Sequence, residues 1–149
     1  MKYLIWPSIV FLLFILEGSI SIFDVKPNLT IVLICYIGTK KGAVESMFFG
    51  SLIGLIEDSL SGTLIGPNLL SKGLLGYFSS FIYSRFFIWI PLLGIISISI
   101  FTLIDSTTVL IARSIFDRMP VSAFASVFII GIQSLLNAPW GLLLRPKEI

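Results

Sequence analysis

Five ionisable side chains stand inside, or at the edges of, long apolar runs: Glu17, Glu57, Asp58, Lys72 and Asp105. Groups of this kind can exchange protons, hold a metal, or pair with one another across helices. Acid–base catalysis needs convergent neighbours and a nucleophile, and the sequence supplies neither. It has no histidine and one cysteine, Cys35, within an apolar run. Metal sites built on His or Cys are therefore nearly excluded, Cys35 reads as a small apolar packing residue, and neither a cofactor nor enzymatic activity is expected. What remains is polar contact, between helices or with a partner. Lys72 falls just inside one apolar run, while Glu57 and Asp58 end the preceding one. A pair between Lys72 and Glu57 or Asp58 would close one end of a helix bundle; alternatively these groups reach water at helix ends. Glu17 and Asp105 lie deeper, where they either line a polar pocket or bond across helices or to a partner. Glu45, four residues after Lys41, reads as a solvated edge charge.

A second set of residues speaks to packing. Ser46, Gly50 and Gly54 recur every four positions, and Gly73, Gly76 and Ser80 form a similar strip further on. At the helical repeat each strip stays on one face. Small residues so placed let helix backbones approach closely in lipid, within the bundle or against another protein's helix.

The elements that carry these residues follow from composition. Of 149 residues, 56% are hydrophobic and 12% charged, about half the charged fraction of a soluble domain. Mean hydropathy is +1.05. A water-facing surface cannot be built from what is left, so the solvent of most side chains is lipid or other helices. The net charge of +2 gives no basic patch for nucleic acid. Polar punctuation divides the chain into a single transmembrane domain of about six helices, near 3–23, 26–39, 43–57, 68–84, 86–112 and 121–144. The first run is too long for a signal-peptide core and lacks a cleavage site. The second is short for a full span, so it tilts into protein or is partly re-entrant. The fifth is long and tilts or protrudes, and Pro139 kinks the sixth.

With six spans both termini share a side. That side holds Lys2, Lys40, Lys41, Arg85, Arg145 and Lys147; the other holds Lys26, Lys72, Arg113 and Arg118. The bias places both termini in the cytoplasm. Trp6, Trp89, Trp140, Tyr3, Tyr36 and Tyr83 then gather near one interface, as interfacial aromatics do. The Lys40-Lys41-Gly42 corner and the Arg145–Lys147 tail read as cytoplasmic anchors.

One stretch resembles a known family. Residues 26–41 read KPNLTIVLICYIGTKK; Gly42, Gly50, Gly54, Glu57-Asp58-Ser59-Leu60-Ser61-Gly62, Gly66, Asn68, Leu70-Ser71-Lys72 and Gly76-Tyr77 follow. This order resembles the rod shape-determining protein MreD, most specifically over 26–80. The resemblance implies an all-α, S-component-like bundle in the bacterial cytoplasmic (inner) membrane. It also implies a non-enzymatic role in the elongation machinery, organising peptidoglycan synthesis and cell shape. The implied direct partner is the bitopic scaffold MreC; the wider complex holds MreB, a SEDS glycosyltransferase and a class B penicillin-binding transpeptidase. The alternative is a substrate-binding S component of an energy-coupling-factor vitamin transporter. That role calls for a ligand pocket and often an alanine-rich face on the first helix, which here has no alanine.

Overall fold

The computed structural model describes the backbone of residues 2–62, 65–85, 91–116 and 122–144, and the side chains of 8–62, 65–81, 91–116, 122 and 124–144. Trp89, Arg118 and the Arg145–Lys147 tail lie outside the described residues, as do the side chains of Lys2, Tyr3, Trp6, Tyr83 and Arg85. The described chain is all-helical: α1 (Lys2–Ser19), α2 (Leu29–Lys41), α3 (Ala43–Ser61), α4 (Pro67–Arg85), α5 (Pro91–Phe116), α6 (Ala123–Asn137) and a 3-10 turn, Ala138–Leu143.

Polarity is inverted relative to a water-soluble protein. Lys72, Asp58 and Asn137 are wholly buried, whereas Phe124 is 84% and Leu135 74% exposed. Buried charge tolerates such a place only when paired, and apolar surface on this scale suits a lipid surround. Among the described residues, two helical stretches are both long and apolar enough to cross a bilayer, Pro91–Phe116 and Phe124–Leu143. The polar groups that α3 and α4 turn inward lower their hydropathy; each has 19 residues, about 28 Å at the helical rise.

The shortest α-helix is central. α2 has 13 residues, a length of about 20 Å, and touches α1, α3, α4, α5 and the 3-10 turn. Leu29–Cys35, Ile37 and Gly38 are all buried. A helix that is apolar all round belongs inside protein, and here protein replaces lipid as its surround. Its first residue lies partway along its neighbours, because Asn28 contacts Asp105 in the middle of α5 and Asn137 at the end of α6.

Several boundaries differ from expectation, the start of α2 at Leu29 rather than residue 26 among them. α1 stops at Ser19 rather than residue 23, and Ile22 and Val25 close a tight two-residue turn through paired backbone hydrogen bonds. Phe23 and Asp24 in that turn take left-handed conformations. The reversal is needed to return the chain to the buried start of α2, and β-branched Ile20 and Ile22 favour helix weakly. α3 runs on through Glu57 and Asp58 to Ser61, where Gly62 supplies the left-handed cap. α5 is described from Pro91 and continues to Phe116, past the expected residue 112. α6 gives way to the 3-10 turn at Ala138, with Pro139 at its start.

Tight backbone contacts join the helices. A Cβ on Gly50 would strike the Lys72 carbonyl, and one on Gly76 the Ser46 carbonyl. The two small-residue strips therefore face each other across α3 and α4, the most extensive interface in the bundle. Gly94 and Gly141 make the corresponding contact between α5 and the 3-10 turn.

Candidate polar interaction site

The buried start of α2 creates a problem that most of the inward polar residues solve. The first N–H groups of a helix have no partner within it, and those of the buried Leu29 and Thr30 are turned away from the surface. The Asn28 side chain does not cap its own helix. Glu17 of α1 does so instead, accepting the Thr30 N–H at 2.9 Å; a carboxylate there also complements the positive helix end. Asn137 pairs with the Asn28 peptide as another peptide would: its Oδ1 accepts the Asn28 N–H at 2.9 Å and its Nδ2 donates to the Asn28 carbonyl at 3.1 Å. That same Nδ2 also donates to Thr102 Oγ1 at 3.0 Å.

The charged part lies beside it. Lys72 Nζ forms an ion pair with Glu57 and stands 3.6 Å from Asp105 Oδ2. Asp105 accepts from Ser71 Oγ at 2.6 Å and from Asn28 Nδ2 at 3.2 Å. The Thr30 hydroxyl is 2.5 Å from Asn28 Oδ1 and 2.6 Å from Glu57 Oε1, and donates to one at a time. Residues of α1, α2, α3, α4, α5 and α6 thus meet in one network. Fully satisfied networks of this kind fix a single arrangement of helices.

Asp58, one residue from Glu57, does something else. Its carboxylate accepts from the Gly66 N–H (2.8 Å), the Asn68 N–H (3.2 Å), Asn68 Nδ2 (2.8 Å) and the Leu69 N–H (3.1 Å). It is wholly buried, and these bonds use the full acceptor capacity of a carboxylate. Asp58 therefore neither pairs with Lys72 nor presents an oxygen to a partner; it pins the α3–α4 connection to the start of α4. Asp58→Asn places an NH2 group against backbone donors. It is expected to cost about 1.5–3 kcal/mol, the worth of charge-assisted hydrogen bonds, read as a lower melting temperature and faster proteolysis between α3 and α4.

The remaining expected site residues fall into place around these. Glu17 and Asp105 bond across helices, and the Lys72 cluster sits against the middle of α5 rather than at the end of the bundle. Of the packing residues, Ser46, Gly50, Gly54, Gly73, Gly76 and Ser80 all lie between helices: Ser46 Oγ donates to the Ile34 carbonyl at 3.0 Å, a Cβ on Gly73 would meet Ser51, and one on Gly38 would press on Ser79 and the Ser80 backbone. Glu45 is exposed and Cys35 buried. Tyr36 and Trp140 border one groove. Sequence reasoning missed Asn28, Thr30, Ser71, Thr102, Gln133 and Asn137, all uncharged. Their one signal is amide side chains close to proline, Asn28 directly after Pro27 and Asn137 two residues before Pro139. Among the described residues no group of three or more Asp, Glu or Cys side chains is placed to hold a metal.

The model of the rod shape-determining protein MreD family matches residues 1–146 of the 149-residue chain. The chain belongs to the MreD family. It is accordingly a rod-shape-determining membrane protein. No curated protein and no solved structure matches it. The transporter S-component alternative finds no support in the family match.

Proposed function

We propose that this MreD-family protein is a multi-pass, non-enzymatic subunit of the elongation machinery, with both termini in the cytoplasm, that binds MreC and so helps organise peptidoglycan synthesis around MreB, the SEDS glycosyltransferase and the class B transpeptidase. One observation carries the reading: Glu17, Glu57, Asp58, Lys72 and Asp105 all bond within the bundle, while the outward faces are largely apolar. A molecule so arranged offers neighbouring helices a greasy surface.

Six spans are consistent with the alternation of the helices and with apolar residues facing outward on the helices around α2, Phe11 on α1 and Phe48 on α3 among them. Purification through an affinity tag in mild detergent is expected to recover MreC in near-stoichiometric amount. Normal recovery of the folded bait without MreC would overturn the reading. Charge reversal at Glu57 or Asp58 is a poor probe of that contact, since both groups serve the fold.

A further inference from the structure

Arg113 is the one ionisable side chain within the described helix bundle whose buried nitrogen lacks a partner. Its Nε is inaccessible and has no hydrogen-bond acceptor among the described residues. Glu17, Glu57, Asp58, Lys72 and Asp105 all have partners. Arg113 as a whole is half-buried, and a buried donor left without an acceptor costs free energy.

Arg113 lines a cavity of about 320 Å³ between α5 and α6. Gln133 and Asn28 border it on one side; Leu110, Ile129 and Ile130 form an apolar wall on another. Asp105 also borders it, but Ser71, Asn28 and Lys72 already engage its oxygens. Gln133 is held in place by the Ser106 hydroxyl, which donates to its Oε1 at 2.8 Å, and by its own donation to the Lys26 carbonyl at 3.1 Å. Ile129 is 47% exposed, so the apolar wall continues to the outer surface of the bundle. The cavity thus combines a half-buried cation whose Nε has no acceptor among the described residues, a fixed amide and an apolar exit.

We infer that this α5–α6 cavity binds the phosphate headgroup of an anionic lipid, with Arg113 on the phosphate and the acyl chains leaving along Ile129 and Ile130. Guanidinium groups match phosphate in charge and in the spacing of their donors. An acyl chain explains the apolar exit, which a soluble anion would leave wetted. The inference rests on the multi-pass reading for lipid access and is independent of MreC.

The test uses the purified full chain in phosphatidylcholine nanodiscs, with binding followed by native mass spectrometry and thermal unfolding. Phosphatidylglycerol is expected to bind about tenfold more tightly than phosphatidylcholine of the same chains, the worth of one charge-assisted contact, and to raise the melting temperature. Arg113→Gln should abolish that preference. Ile129→Trp, which keeps the cation and fills the exit, should weaken phosphatidylglycerol binding to the same level. Inorganic phosphate should leave the melting temperature unchanged. Equal binding of the two lipids, a preference that survives Arg113→Gln, or equal stabilisation by inorganic phosphate would each overturn the inference. MreC recovery should be unchanged in Arg113→Gln; its loss with lipid preference intact would make Arg113 a partner contact instead.

Discussion

Lys72→Met is expected to remove most of the protein that survives solubilisation. Lys72 is wholly buried, and its ammonium serves both Glu57 on α3 and Asp105 on α5. Methionine fills a similar volume but leaves two carboxylates without their cation. Breaking a buried pair by removing one partner costs about 3–5 kcal/mol, a large part of the about 5–15 kcal/mol that holds a typical domain together. The loss comes from the carboxylates left behind, so it is repairable. Adding Glu57→Gln and Asp105→Asn to Lys72→Met removes both unpaired charges. The amide introduced at position 57 retains an oxygen for the Thr30 hydroxyl, and the amide at position 105 retains one for Ser71. The triple variant should recover most of the lost melting temperature, since neutral replacements of similar volume are often tolerated. Fluorescence-detected gel filtration and thermal unfolding in detergent measure both effects. A single variant that melts with the parent would show that the ion pair contributes nothing to the fold.

What sequence reasoning reaches here depends on how a residue announces itself. The α3–α4 contact is legible because small residues recur at three- or four-residue spacing on both helices, and a repeat survives without knowledge of the partner. Lys72 with Glu57 is legible because charge in an apolar run is rare and the two runs are consecutive. Asp105 as their third member is not, because nothing local says which distant helix crosses beside Lys72. Gly94 and Gly141 escape notice for a related reason: each is a lone glycine, and only the crossing of α5 over the 3-10 turn gives them meaning. The largest gap concerns α2. Its short, uniformly apolar run signals an unusual element, yet its central place follows only once five other elements surround it. The uncharged residues that serve its buried start, Asn28, Thr30 and Asn137, carry no charge to mark them. Glu17 is marked by its charge, and a bond across helices is among its expected roles. That the bond caps a helix beginning twelve residues further on requires the turn at Ile22–Val25, which the apolar pattern conceals.

The same contrast between hidden and visible contact sets up a paired experiment on glycine. Gly54→Ala adds one methyl group at the tightest crossing of α3 and α4. Its Cβ would meet the Asn68 carbonyl oxygen, with the Asn68 carbonyl carbon at 2.5 Å and the Leu69 nitrogen at 2.6 Å. All three are backbone atoms that no rotamer change can move. The helices must separate, and Asn68 and Leu69 are the residues whose N–H groups Asp58 holds, so separation also pulls on those bonds. Overpacking costs about 1–3 kcal/mol, and loss of the Asp58 contacts adds a further charge-assisted hydrogen bond's worth, about 1.5–3 kcal/mol. Gly131→Ala makes the identical chemical change in α6, where nothing lies within 4 Å of the added Cβ. Alanine is the better helix former by up to about 1 kcal/mol, so this variant should melt at or above the parent temperature while Gly54→Ala melts well below it. MreC recovery should fall in Gly54→Ala only as far as the folded fraction falls. If the two variants melt alike, α3 and α4 do not meet backbone to backbone at Gly54, and the crossing that brings Glu57 to Lys72 is held by something other than close approach.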